Sequence, residues 1–328
     1  MKSQLQLRGK AQSEWHRKAG ARRDETFGRK VFVRGVVEVS NFCRQNCSYC
    51  GMRRDNRDLG RYRLELDKIL DLVIHHRPAS ITDINLQAGE DPVAVREIII
   101  PLVREIRRQT NLGVSVCLGT LSAKEYDDLR EAGASYYIIK IETGNAGHFR
   151  TMQAPGTLDK RVAAIEQLAR TGWAVSSGFI VGLPGQDVEM VQESLDLLGR
   201  LPLAGVSVSP FIAGEQTPLA GETAGDLELT LNCVASMRLS HPERVIPAVS
   251  AMRIADPAGY RRAIGAGANL ATINLTPSEW RDNYLLYKRE RFIMDEERIL
   301  TEIAAAECQP STVGLAEFLE QSAPVMVK

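Results

Sequence analysis

The sequence predicts an α/β protein built as a (β/α)8 barrel of the TIM type, with a helical extension at its N-terminus and a helical tail at its C-terminus. Three observations lead there. From Val31 onward, eight short runs rich in β-branched and aliphatic residues alternate with longer segments of helical period. Such alternation favours parallel strands joined by right-handed crossovers, and eight strands close the sheet on itself. No linker or low-complexity stretch interrupts the 328 residues, of which 44% are hydrophobic, enough for one large core. An open doubly wound sheet is the alternative, and it would be wide for one sheet. The expected units are the extension over 1–29, the barrel over 30–283 and a tail over 284–328.

The charged stretch from Met1 to Phe27 has too few apolar residues for a core strand and reads as one or two outer helices, with Trp15 and His16 as packing groups. V-F-V-R-G-V-V-E-V after Lys30 is the first strand. Leu66, Ile69, Leu70 and Val73 recur at helical spacing and place a helix over Glu65 to His76. Strand Ile81 to Leu86 is followed by helix Pro92 to Arg108. Strand Val114 to Leu118 is followed by a helix over Ser122 to Ala132, capped by Ser122 and ended by Gly133. Strand Tyr136 to Ile141 precedes helix Leu158 to Thr171, strand Ala174 to Val181 precedes helix Val188 to Arg200, and strand Gly205 to Pro210 precedes helix Leu227 to Ser240. Strand Arg244 to Val249, helix Pro257 to Ala266 and strand Asn269 to Asn274 complete the series.

Composition narrows the function. The 41 basic and 41 acidic residues cancel, which leaves no electrostatic case for nucleic acid or an anionic membrane surface. No apolar run reaches the roughly 20 residues of a membrane span, and the polar start lacks the apolar core of a secretory signal. A reducing cytoplasm is the expected compartment. Of the six cysteines, Cys117, Cys233 and Cys308 are scattered, unlike a disulfide scaffold. Cys43, Cys47 and Cys50 instead share one loop, N-F-C-R-Q-N-C-S-Y-C-G-M, at the C-terminal end of the first strand. Three thiolates in a C-x3-C-x2-C spacing can hold three irons of a cubane and leave the fourth without a protein ligand. A closed zinc site or an electron-carrying cluster would want a fourth ligand, and no Cys or His follows before His75. On the residues alone, a zinc site with a distant fourth ligand stays open.

This spacing, with Tyr49 just before the last cysteine, resembles the cluster motif of the radical S-adenosylmethionine (SAM) enzymes. In that family the amine and carboxylate of SAM chelate the open iron, and one electron breaks a carbon-sulfur bond to give a 5′-deoxyadenosyl radical. Other strand ends are similar to the family's motifs. Q-A-G-E-D-P puts Gly89 and Glu90 where the SAM amino group is received, although the same letters fit a simple helix entry. The resemblance implies SAM contacts for Glu142 in K-I-E-T-G-N and a SAM-carboxylate partner in Arg161. G-F-I-V-G-L-P-G-Q, with Gly178, Ile180 and Gly182, looks like the adenine-side motif, and it lacks the lysine and hydroxyl of a P-loop. Substrate contacts are expected from Arg54 and Tyr62 in the basic stretch after the cysteines, and from Ser209, Ser250, Met252, Asn274 and Thr276 at the last three strand ends.

Further strings, R-R-D-N with R-Y-R, L-Q-A-G-E-D-P, V-G-L-P-G-Q and T-P-S, bring the resemblance to the branch holding the radical SAM maturase of [FeFe]-hydrogenase and methylornithine synthase, with biotin synthase further off. It implies a [4Fe-4S] cluster and SAM as cofactors, an enclosed small-molecule substrate, a reductant such as ferredoxin or flavodoxin, and a maturation or biosynthetic partner protein. Cofactor or metallocofactor biosynthesis leads, a carbon-skeleton rearrangement comes second and sulfur insertion third. The tail holds Cys308 alone, and one thiol cannot bind an auxiliary cluster. I-K-I-E-T-G-N also lacks the basic residue that the maturase places before its glutamate motif, leaving Lys140 nearest that role. From another class, a non-catalytic iron-sulfur or zinc scaffold would need the cysteines but not Glu90 and Arg161.

Overall fold

In a computed structural model, which describes residues 2–289 and 294–322, parallel strands lie in the order β6-β5-β4-β3-β2-β1-β7. They are β1 (Lys30–Ser40), β2 (Asp83–Ala88), β3 (Gly113–Cys117), β4 (Tyr136–Ile138), β5 (Ala174–Val181), β6 (Gly205–Pro210) and β7 (Leu270–Asn274). The stretch expected as a regular strand over Arg244 to Val249 makes only isolated parallel bridges, Val245 with Gly205 and Pro247 with Leu270. Pro247 has no N–H to donate, so the ladder stops there. Gly205 and Leu270 begin β6 and β7, so this stave closes the barrel at its floor and leaves its neighbours toward the mouth. The architecture is the expected TIM-type barrel, with one irregular stave.

The helices are α1 (Lys2–Leu5), α2 (Gly9–Phe27), α3 (Leu66–His75), α4 (Pro92–Ala94), α5 (Ile100–Gln109), α6 (Ala123–Ala132), α7 (Ala146–Thr151), α8 (Leu158–Arg170), α9 (Val188–Arg200), α10 (Leu227–Ser240), α11 (Ser250–Ala255), α12 (Gly259–Gly265), α13 (Ser278–Arg281), α14 (Glu296–Ala305) and α15 (Leu315–Ser322). A π turn over Val95–Ile99 joins α4 to α5 within what the sequence predicts as one helix. Pro101 cannot donate to the Glu97 carbonyl and its ring crowds that oxygen, and the wider turn makes room. Ser122 and Glu125 form a reciprocal cap on α6. In the extension, α2 packs on α10, with His16 Nε2 2.9 Å from the Asn232 side-chain oxygen.

Strand β1 shows how the barrel is built. Val31, Val33, Val37 and Val39 are fully buried in the main apolar core, while Arg34, Val36 and Glu38 line an axial cavity. Successive side chains point to opposite faces of a strand, so one sequence supplies both core and chamber. Burying each aliphatic chain contributes about 1.5–3 kcal/mol. The tail closes the floor: β8 (Gln309–Pro310) pairs with Lys30 and Val31, and the Asp83 carboxylate accepts from the backbone N–H groups of Leu315 and Ala316.

Candidate active site at the barrel mouth

Beyond Ser40 the chain enters the cysteine loop, which β2 braces. Gly89 N–H donates to the Ser40 carbonyl at 3.0 Å, and a Cβ on Gly89 would lie 2.2 Å from the Phe42 carbonyl oxygen and 2.8 Å from Cys43 Cβ. Only glycine lets the two loops approach so closely. The next N–H, of Glu90, then donates to Cys43 Sγ at 3.4 Å. From the other side the Arg61 guanidinium donates to the carbonyls of Asn41, Met52, Arg53 and Asn56, and gathers the loop around itself. Arg63 grips Asp91 through two hydrogen bonds of 2.7 and 3.0 Å and lies over the Phe42 ring. Burial pushes the Asp91 carboxyl up, but Arg63, Ser40 and a backbone N–H outweigh it and hold the group below its ordinary value.

The basic stretch therefore supports the cysteine loop, and its two expected substrate residues lie elsewhere. Tyr62 is buried with its hydroxyl donating to the Glu38 carbonyl at 3.0 Å. Arg54 is exposed and pairs with Asp55.

Cys43, Cys47 and Cys50 are all free thiols, and the first two line the axial cavity. Burial pushes the Cys50 thiol up to about 12 and raises Cys43 and Cys47 as well. Buried thiols that repel each other as thiolates need positive charge to ionise, which iron provides. Among the described residues no three Cys, His, Asp or Glu side chains converge on one point, as a single zinc ion would require. A cubane takes each thiolate on a separate iron, so the donor set fits a cluster.

Beside the loop, Arg161 in the first turn of α8 donates through Nη2 to Glu90 Oε1 at 2.9 Å, with side-chain exposures of 5% and 7%. Glu90 Oε2 also accepts from Gln45 at 2.5 Å and from Arg44 at 3.3 Å, both within the C-x3-C segment. Two residues that the sequence assigns to SAM separately are thus each other's partner. Glu142 follows β4 with φ 62°, and its N–H and that of Ile141 share the Gly178 carbonyl at 3.1 and 3.0 Å. Burial pushes its carboxyl up, with Lys140 and Arg161 pulling it back.

Gly178 admits β6, since a Cβ there would lie 2.1 Å from Ser207 Oγ. Gly182, at φ 84°, would bring its Cβ within 2.4 Å of Gly225 Cα. Ile180 packs with Tyr49 against Met152, Leu183 and Phe211, beside the cysteine loop and off the cavity wall.

The cavity holds about 380 Å³ and runs along the barrel axis below the thiols. Ser209, Ser250 and Asn274 are on its wall. Met252 and Thr276 are not: Met252 is fully buried in the apolar core, and Thr276 Oγ1 accepts from the Glu38 N–H at 3.0 Å. In a strand, residues two apart share a face, whereas in a helix they differ by about 200°. Ser250 begins α11, so Met252 turns away from the chamber. Sequence reasoning missed several polar wall residues, among them Arg34, Glu38, Gln87 and Tyr287, whose hydroxyl lies 2.6 Å from Ser250 Oγ. Charges at alternate positions of an otherwise apolar first strand were the available signal for Arg34 and Glu38.

Thiols gathered at the C-terminal mouth of a β/α barrel, opening onto a polar axial chamber, define a class: barrel enzymes that set a metal cluster above an enclosed small molecule. The sequence matches the Radical SAM superfamily over residues 37–198. It is 34% identical to the [FeFe] hydrogenase maturase subunit HydE of Thermotoga maritima over 292 residues, 89% of this chain and 81% of that protein. To 3-methylornithine synthase of Methanosarcina barkeri it is 27% identical, over 82% of this chain and 76% of that protein. The crystal structure of methylornithine synthase (PylB) superposes with a TM-score of 0.83 at 25% identity, covering 94% of this chain and 92% of that one. The chain belongs to the radical SAM superfamily. Its cofactors are a [4Fe-4S] cluster and SAM, and like its relatives it is an enzyme. Among the described residues no helix is long and apolar enough to cross a membrane.

Proposed function

We propose that this enzyme directs the 5′-deoxyadenosyl radical onto a small molecule held in the barrel, in the biosynthesis of a metal-containing cofactor, as a hydrogenase-maturase-like protein of the cytoplasm. The supporting observation is that Cys43 and Cys47 share the wall of one chamber with Lys140, Ser209, Ser250 and Asn274. A small molecule held there would lie in the same chamber as the thiols that would hold the cluster. When bound, the cluster and SAM supply the electron and the carbon radical; the protein supplies position and exclusion of water. Cys43, Cys47 and Cys50 would hold the cluster. Glu90 and Glu142 would receive the SAM ammonium, and Arg161 its carboxylate. Gly89 gives the ligand close approach to the loop, and Tyr49 with the Gly178, Ile180 and Gly182 run backs the adenosine. The buried Glu90–Arg161 pair is the charge complement of a zwitterion, which both residues would hold together. A ferredoxin or flavodoxin serves as reductant, and a maturation partner receives the product.

A methylornithine-synthase-like rearrangement of a carbon skeleton is the second reading, favoured by the 0.83 TM-score over 92% of that enzyme. The test begins with anaerobic reconstitution, dithionite and SAM, with 5′-deoxyadenosine as the readout. The protein is then added to a hydrogenase maturation mixture lacking HydE, and 3-methylornithine is sought separately. Restored hydrogenase activity supports the first reading and 3-methylornithine the second. Protein with its full iron chromophore and no SAM cleavage would sink both.

A further inference from the structure

The chamber floor holds one cation, Arg34. Arg34 points inward from β1 at 8% exposure, and its Nε and Nη1 are buried without a hydrogen-bond partner among the described residues. Its register partner on β2, Asp83, lends it an electrostatic field but no hydrogen bond; both Asp83 oxygens are engaged beneath the floor by Leu315 N–H, Ala316 N–H and the Thr82 hydroxyl. The other cations on the wall are accounted for. Arg161 is paired with Glu90, and Lys140 stands in the field of Glu142. A buried guanidinium whose N–H groups lack hydrogen-bond partners destabilises the ligand-free chain, and an anion entering the chamber removes that penalty.

We propose that Arg34 anchors a carboxylate of the chamber's occupant, so that the substrate is an organic monoanion bound acid end down with its reacting end toward the cysteine loop. This deepens, and rests on, the reading of the barrel as a substrate chamber. The guanidinium fork matches the two oxygens of a carboxylate, whereas a phosphate dianion would want a second cation at the floor. Tyr136, Tyr260, Ser176 and Thr272 share this part of the wall and offer hydroxyls to the remaining lone pairs. Glu38, also inward on β1 and about 13 Å of strand rise nearer the mouth, repels an acid and fixes the orientation.

The test compares the full chain, with its cluster reconstituted, as wild type, Arg34→Met and Arg34→Gln. Thermal unfolding is followed alone and with millimolar propanoate, L-alanine or L-norleucine, against the corresponding amides at matched ionic strength. Ligand-free Arg34→Met melts at or above the wild type, because methionine fills the volume without a buried charge. The acids raise the wild-type Tm with the logarithm of concentration and the amides do not. In Arg34→Gln the apparent Kd for the acids weakens about 10- to 100-fold. Arg34→Met melting well below the wild type would show a purely structural arginine and overturn the proposal. So would amides acting as well as acids, acids that leave the wild-type Tm unmoved, or an undiminished acid response in Arg34→Gln. The underlying reading fails separately, in the wild type alone, as no 5′-deoxyadenosine from protein with its full iron chromophore.

Discussion

The buried pair between Glu90 and Arg161 predicts strongly non-additive stability. The two groups meet at 2.9 Å with exposures of 7% and 5%, so solvent screens them little. Removing one partner of such a pair costs about 3–5 kcal/mol, largely because the other charge is stranded. For Arg161→Met the lower figure applies, since Glu90 keeps Gln45 at 2.5 Å, Arg44 at 3.3 Å and the Thr120 N–H at 3.4 Å. For Glu90→Met the upper figure applies, since Arg161 retains the Pro155 carbonyl at 3.2 Å and no other hydrogen-bond acceptor among the described residues. The double variant strands no charge, and its loss should be about 3 kcal/mol smaller than the sum of the singles. Urea unfolding of the four proteins without SAM measures this coupling. Additivity within about 0.5 kcal/mol would refute the pair in solution. All three variants should also lose SAM cleavage, and a double variant that still cleaves SAM would remove both residues from its binding.

Other outcomes follow from the same structure. Cys47→Ala should abolish the iron chromophore and 5′-deoxyadenosine formation together; survival of either contradicts the cluster assignment. Asp91 has a depressed folded value, so its contribution is present above the unfolded value near pH 4 and lost as pH falls through the folded one. Urea midpoints of the wild type should fall in that acid range, and Asp91→Asn should flatten the fall. Gly182→Ala places a Cβ at φ 84° and 2.4 Å from Gly225 Cα, costing at least about 1–3 kcal/mol by strain; unchanged stability would mean the loop is looser than this. Met252→Ala should cost about 2–5 kcal/mol of stability while SAM cleavage per folded molecule stays constant, and a selective loss of activity would return Met252 to the chamber.

Much of this architecture is written locally. Helices α9 and α10 and strands β5 and β6 occur over the residues their periodicity predicts. The Ser122 cap, the thiol spacing and the glycine beside Glu90 are likewise visible, because each depends on residues a few positions apart. Short α7, α11 and α13 span too few turns to show a period. The irregular stave looked like a strand because its composition is strand-like, and the effect of Pro247 shows only where a neighbouring ladder needs its N–H. That single break starts α11 at Ser250, keeps Ser250 on the wall and rotates Met252 into the core.

Charge pairing lies further from reach. The sequence by itself determined an alternating α/β chain with three thiols at the end of its first strand, because alternation and spacing belong to contiguous residues. Only the tertiary structure decided that Arg61 gathers the loop, that Glu90 meets Arg161 across 71 positions and that the Asp83 carboxylate is taken by backbone N–H groups of the tail. Whether a buried charge is satisfied depends on which groups the closed barrel brings within 3 Å or so of it, and no local pattern encodes that.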